Sequence, residues 1–476
     1  MSLKQNIISG VKWTTASTVI VLILQLLQLS ILARFLEPRD FGLMTLVMVI
    51  IGFSQAFMDM GISNAIIYKL DNTREQLSTL YWVNVLAGCV IFIVLVGLSP
   101  LIAKYYNEPK LIKLIVLVAF TFIVQPFGQQ FMILWQKEMR FDDIAKIDIV
   151  TKTVSLLVSS VLAINGYGVY ALVYSRIFAV VCQTALFMFK GLKEYRPLFI
   201  FKINIVYEYL NFGLYQMGDK TINYINSQLD TIIIGKLLGF EALGIYNIAK
   251  QLILRPAQLI NPIITKVAFP AMSKIQDDSL RLKNIYLKSI NYLSSVSFPI
   301  YTFMFIMAPA IVTIMFGDSW MDAVPIVRIL SIYGAIRATG NPIGSLLLAK
   351  GKASWGFWWN LGLMFYIPIG IIISSQWGLV GVAWGLVILT AGGVIPSWYF
   401  LVKKLCYAGF VEYHKEIAIP MLIAIVTGIF VYPIVGYFGS IVVQMILAII
   451  MGLAALLLLN IIFNRRFILE IMENLR

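Results

Sequence analysis

The sequence predicts an all-α, polytopic membrane protein of about fourteen transmembrane helices, built as two six-helix lobes related by a parallel repeat plus two C-terminal helices. Three observations carry that prediction. Hydrophobic residues make up 60% of the 476 and charged residues only 13%, against roughly 25% charged in soluble domains, and the mean hydropathy is +0.87. Apolar runs of about 20 residues, the length that crosses the hydrocarbon core, recur along the chain with short connections. Stretches of the first half also return, in order, in the second half.

The elements follow from that ruler. Val11 to Ala33 is long enough to span and is followed by no small-residue cleavage site, so it reads as a retained first helix and not a signal peptide. Spans two to six centre near Ile51, Leu86, Phe120, Leu157 and Phe178, which gives an N-lobe of residues 1–190. Asp59 lies in span two, Pro126 interrupts span four, and Arg176 sits near the middle of span six. Residues 191–206 mix Lys193, Arg196 and Lys202 with Tyr195, Phe199 and Phe201, the composition of an interfacial linker on the inner leaflet. The C-lobe, residues 207–405, holds spans seven to twelve, centred near Ile222, Ile253, Ser297, Ile336, Met364 and Leu386. Residues 406–476 add two accessory spans near Ile425 and Ala448 and a cytoplasmic tail.

The net charge of +14 belongs to topology and not to nucleic-acid binding, because no soluble domain is present to carry a basic face. Lys69, Arg74, Lys137, Arg140, Lys190, Lys193, Lys274, Lys350 and Lys403 lie in connections on the side of the N-terminus. The opposite connections hold only Arg34, Arg39, Lys104, Lys110, Lys113 and Lys236. Both termini are therefore expected in the cytoplasm, with the basic side drawn to anionic lipid. Cys89, Cys182 and Cys406 are scattered and have no metal-ligand spacing, which argues against a disulfide framework and against zinc. The sparse outer carboxylates Glu108, Asp318 and Asp322 read as loop-solvating groups.

Four correspondences define the repeat. ILARFLEPRDFGL from Ile31 aligns with IIGKLLGFEALGI from Ile233, so that Gly42 falls on Gly244. SPLIAKYY from Ser99 parallels APAIVTIM from Ala308, LWQKEMR ending at Arg140 parallels LLLAKGK ending at Lys352, and GVYAL from Gly168 meets GVAWG from Gly381. Six spans per copy is an even number, so both copies start from one face of the membrane.

Span seven is too polar to face lipid. Asp219, Asn223, Asn226 and Asp230 fall at i, i+4, i+7 and i+11, one helical stripe that needs water or protein beside it. On span eight, Asn247, Lys250, Gln251, Arg255, Gln258 and Asn261 share one arc, and Pro256 removes the backbone donor to Leu252. Counting along each helix puts Lys220, Arg255, Arg176 and Arg337 near mid-depth, with Lys250 further out and Asp59, Asp219 and Asp230 as acidic counterparts. Cations exceed anions, so the physical expectation is a hydrated cavity that holds an anion, with carboxylates able to bind H⁺ or Na⁺. No metal or other cofactor is expected. Some of these charges are expected to pair with one another as structural salt bridges.

ARFLEPRDFGLMTL with its echo GKLLGFEALGIYNIAKQL, IMFGDSWMDAVPIVRIL, LLLAKGK and the two-lobe plan resemble the Wzx-type polysaccharide flippases of the multidrug/oligosaccharidyl-lipid/polysaccharide (MOP) exporter superfamily. The resemblance covers nearly the whole chain and is to the branch with colanic acid and teichuronic acid exporters. It implies a non-enzymatic carrier of the bacterial inner membrane, moving undecaprenyl-diphosphate-linked oligosaccharide between leaflets by ion-coupled alternating access. Lys220, Lys250 and Arg255 would then meet the diphosphate, Asn223 and Tyr246 the sugars, and a lateral groove the lipid tail. Asp219 or Asp230 would couple ion movement. Polysaccharide polymerase and glycosyltransferases are the partners such a carrier implies. Three other classes remain open: a drug exporter of the same superfamily, whose cationic substrates this cavity would repel; a membrane glycosyltransferase or polymerase, which would need a larger outer domain; and a passive scramblase, which needs no coupling acids.

Overall fold

In hydrocarbon a chain of Leu, Ile, Val, Phe and Ala must satisfy its own N–H and C=O groups, and the helix does so within one segment. The computed structural model describes residues 3–59, 62–69, 71–465 and 467, and every regular element among them is helical. The chain packs as two compact units, Met1–Gly244 and Ile245–Arg476.

The first unit contains α1 (Leu3–Phe35), α2 (Pro38–Asp59), the short α3 (Ile62–Tyr68), α4 (Arg74–Tyr106), α5 (Lys110–Ala119), α6 (Thr121–Val124), α7 (Pro126–Lys137), α8 (Phe141–Ile164), α9 (Val169–Glu194), α10 (Tyr207–Leu237) and the start of α11 (Gly239–Lys274). Local chemistry sets several of these boundaries. At the start of α4, Thr73 accepts from the Gln76 N–H at 3.2 Å while the Gln76 side chain accepts from the Thr73 N–H at 3.0 Å, a reciprocal capping box. Asn107 ends the helix in the left-handed region at φ 54°. The run from Lys110 to Lys137 bends by 51° where Pro126 begins α7, as the proline predicts.

The second unit contains the rest of α11, then α12 (Ser279–Ile306), α13 (Ala308–Phe316), α14 (Ala323–Thr339), α15 (Pro342–Ala349), α16 (Ala353–Ser374), α17 (Gly378–Ser397), α18 (Lys403–Cys406), α19 (Phe410–Gly436) and α20 (Ile441–Phe463). Helices α12 and α19 run parallel. Lys283 meets Glu412 at 3.1 Å near their starts, and Thr302 and Ile306 flank Gly428 near their ends. His414, the single histidine, sits in the first turns of α19 with its ring 4.0 Å from that of Phe410, an aromatic packing role.

Eight segments among the described residues are long and apolar enough to cross a membrane, or up to ten if each of two bent pairs is one span. The difference from about fourteen has identifiable sources. Ser354–Cys406 counts as one segment although α16 and α17 pack on each other within it, and α14, at 17 residues, is short. Helices α10 and α11, 31 and 36 residues long, carry the polar stripes and are not among the eight.

Two features bear on the repeat. The turns that precede α8 and α16 are the same: Met139 and Gly351, equivalent positions in LWQKEMR and LLLAKGK, both have positive φ, 59° and 62°. The following N–H groups of Arg140 and Lys352 donate to Trp135 and Leu347, each at 2.9 Å. Elsewhere the copies diverge. Ser99–Tyr106 continues α4 without a break, whereas its counterpart from Ala308 is the separate α13, bent 73° from α12.

The linker is an extended strap and not a helix. Between α9 and the 3₁₀ turn Ile203–Ile205, its Leu198 N–H donates to Ser78 Oγ at 3.0 Å. Trp82 Nε1 donates to the Leu198 carbonyl at 2.8 Å, and the Lys202 N–H donates to Thr79 Oγ1 at 3.3 Å. Phe199 stacks on Trp82 with centroids 5.0 Å apart yet stays 92% exposed. Beyond the strap, Val206 and Tyr209 join Ile62, Ile66, Leu77, Leu80 and Ile133 in one apolar cluster. Helix α10 thus packs on α2 and α3 in the first unit, and the packing boundary falls one helix later than the linker.

Candidate functional site

In the first unit the polar helix α10 is fitted into α2 by one aromatic residue. Tyr224 reaches the backbone of α2, its hydroxyl donating to the carbonyls of Val49 at 3.1 Å and Met48 at 3.3 Å. Gly52 makes room: a Cβ there would lie 2.1 Å from the Tyr224 hydroxyl oxygen. The stripe then changes character along the helix. Asn223 is exposed, while Asp230 is buried and accepts from the Thr231 N–H at 2.7 Å and the Thr231 hydroxyl at 3.3 Å. The side chains of Asp59, Asp219 and Lys220 lie outside the described residues. On α9, Arg176 is partly buried and its Nε has no hydrogen-bond partner.

Where α2 and α11 begin, the two copies of the repeat touch through their equivalent glycines. A Cβ on Gly42 would fall 1.8 Å from the Phe240 carbonyl oxygen, and a Cβ on Gly244 would fall 1.8 Å from the Pro38 carbonyl oxygen. In the alignment above, Pro38 corresponds to Phe240 just as Gly42 does to Gly244. The contact is therefore self-complementary, each copy offering a carbonyl to the other's glycine. Beside it Glu108 is buried and accepts from Arg39. The expected loop-solvating role of Glu108 is replaced by an ion pair of a buried carboxylate with an exposed guanidinium, because Arg39 in the first turn of α2 reaches it.

In the second unit α11 runs unbroken through Pro256. Next to the carbonyl that the proline frees, the Ile253 carbonyl accepts from the Tyr301 hydroxyl at 3.1 Å. Lys250 is 8% exposed and its Nζ lies 5.7 Å from the centre of the Tyr246 ring, itself 1% exposed. A cation over an aromatic face in a desolvated place is held there by the ring quadrupole. Asn247 is partly exposed one turn away, and Arg255, half-buried, donates to Gln258 at 3.4 Å. Arg337 occupies the last turn of α14, on the Tyr333 hydroxyl. That end breaks at Gly340 and Asn341 before α15, and a cation suits the carbonyls of a helix C-terminus.

Grooves open beside α19, which the sequence presents as a featureless apolar span. One of about 210 Å³ lies against α12 and α20, and one of about 560 Å³ against α12 and α14. Among the described residues no three His, Cys, Asp or Glu side chains cluster as metal ligands.

The chain matches the polysaccharide biosynthesis protein family over residues 31–325. It is 34% identical over 437 residues to the lipopolysaccharide biosynthesis protein WzxC of Escherichia coli (strain K12), covering 90% of this chain and 87% of that protein. The chain belongs to this family. It is also 32% identical over 433 residues to the teichuronic acid biosynthesis protein TuaB of Bacillus subtilis (strain 168), with 90% of this chain and 89% of that protein covered. The lipid II flippase MurJ, in an inward closed conformation, superposes with a TM-score of 0.77 over 95% of this chain and 99% of that one at 14% identity. An inward-facing multidrug resistance MATE family transporter of the MOP superfamily follows at a TM-score of 0.60, covering 80% and 94%, at 16% identity. This member of the polysaccharide biosynthesis family thus shares its helical fold with both of those structures.

Proposed function

We propose that the protein is a flippase for polyprenyl-diphosphate-linked oligosaccharide, a transporter and not an enzyme, working by ion-coupled alternating access. One observation carries the reading: in a polysaccharide biosynthesis family member, the 36-residue helix α11 holds Lys250 at 8% exposure on Tyr246, with Arg255 further along the same helix. Charges are kept at such depth where they serve a substrate or ion path. Lys250, Arg255 and Lys220 are assigned to the diphosphate, since Arg offers two parallel donors and Lys a movable point charge. Asn223, Tyr246 and Asn247 are assigned to sugars, and Arg176 and Arg337 to the surrounding positive field. Asp219, Asp230 and Asp59 are the coupling acids, taking H⁺ or Na⁺. The lipid tail would lie in a lateral groove. The protein sits in the bacterial cytoplasmic membrane with both termini inside, beside the polymerase and glycosyltransferases that use and supply its cargo.

Depleting the protein tests this directly. Lipid-linked oligosaccharide is expected to accumulate facing the cytoplasm, and surface polysaccharide to vanish; continued surface display at full level would overturn the reading. For the acids, an Asp219→Asn, Asp230→Asn double variant is expected to lose the dependence of export on the ion gradient. If its export still falls in step with the wild type when the gradient is collapsed, coupling lies elsewhere.

A further inference from the structure

The larger groove beside α19 is apolar along its length and carries one formal charge, Arg328 on α14. Arg328 Nε is buried and has no hydrogen-bond partner. An N–H left in that state calls for an acceptor that the protein itself does not supply. The direction of the groove is fixed by the helices around it. Helices α12 and α19 run parallel, and α14 runs back along α12, with Gly334 against Tyr301. Arg328, near the start of α14, therefore lies at the same end as Ile306 and Tyr432, and the apolar part extends from there toward Met421.

On α19 the lining residues Met421, Ile425, Gly428 and Tyr432 fall at i, i+4, i+7 and i+11, a straight stripe. Eleven residues at about 1.5 Å each give roughly 16 Å, half of the ~30 Å hydrocarbon core. That is the reach of one leaflet's chain and less than a long polyprenyl tail requires. The charge points the same way. A single guanidinium balances the one negative charge of a phosphodiester, and its terminal N–H groups donate to phosphate oxygens.

We propose that this groove is a binding site for one anionic bilayer phospholipid, its phosphodiester on Arg328 and one acyl chain along α19. Arg328 lies five residues into α14, about 7.5 Å from the helix start, so its long stem carries the head to headgroup depth. The occupant is a resident lipid that fills the seam between α14 and α19, distinct from the cargo assigned to Lys250 and Arg255.

The experiment is native mass spectrometry of the full chain released from detergent in the presence of phosphatidylglycerol or phosphatidylcholine. The wild type is expected to keep one phosphatidylglycerol at concentrations where phosphatidylcholine is lost. Arg328→Gln is expected to weaken that binding roughly tenfold, and Arg328→Lys, which keeps the charge and loses the fork, by less. Ala335→Phe, which fills the chain slot and leaves Arg328 in place, is expected to lose the lipid as well. Thermal midpoints, read alongside, separate unfolding from loss of the site. Equal retention of phosphatidylglycerol by the wild type and Arg328→Gln would overturn the proposal. So would displacement of the lipid by undecaprenyl phosphate at lower concentration, which would give the groove to the carrier.

Discussion

Gly42→Val is expected to leave the protein in the membrane and to abolish polysaccharide export. The Cβ of any replacement would fall 1.8 Å from the Phe240 carbonyl oxygen, a backbone atom that cannot swing aside. The starts of α2 and α11 must then separate, and the self-complementary contact opens. Overpacking of this kind costs about 1–3 kcal/mol, enough to lower the thermal midpoint without unfolding a chain of this size. In the alternating-access cycle proposed above, helices must shift against one another, so a contact wedged open here is expected to trap the cycle. Gly244→Val is expected to do the same through Pro38. The pair gives a sharper reading than either alone. Once the helices have separated for one side chain, the second adds little, so the double variant should be far less destabilised than the sum of the singles. Surface polysaccharide and thermal midpoints of the four proteins measure this; additive losses, or normal export by Gly42→Val, would refute the argument.

Lys250→Met is the second large effect. The substitution keeps the length of the stem and removes the charge, so the apolar surroundings and the Tyr246 face still pack against it. A buried ammonium carries a desolvation penalty of several kcal/mol that an apolar side chain of similar volume does not carry. The thermal midpoint is therefore expected to hold or rise while export is lost. A merely structural lysine would show the reverse, lower stability with export retained. Lys250→Arg separates the roles further: restored export would mean that charge alone is required, and continued loss would mean that the compact, movable ammonium is.

Much of the fold was legible because its determinants are periodic and local. Apolar runs gave the long helices, Pro126 gave the bend before α7, and the aligned glycines Gly42 and Gly244 turned out to face each other. What could not be read depends on which helices become neighbours. Glu108 looked like a loop carboxylate until Arg39 closed on it, and the bend at α13 has no counterpart in the first copy although both stretches carry a proline in the same place. The groove on α19 is invisible in sequence for the same reason, since Met421, Ile425 and Tyr432 are ordinary lipid-facing residues until α14 lies beside them. The site was legible as residue types. Lys250 could be named from the polar arc and Tyr246 from the resemblance to the flippases, whereas the stacking of one on the other could not, and Asp230 proved buried where its stripe-mate Asn223 is exposed.

The strap from Tyr195 to Lys202 has a mechanical consequence. Eight residues fully extended reach about 26 Å, a generous tether, but Ser78, Thr79 and Trp82 hold it down at successive points and Lys202 adds an ion pair to Glu75 at 3.0 Å. None of that length is slack. The segment therefore acts as a splint along the start of α4, and displacement of α4 is handed on to the first turn of α10 through Val206 and Tyr209, which pack on Leu77 and Leu80.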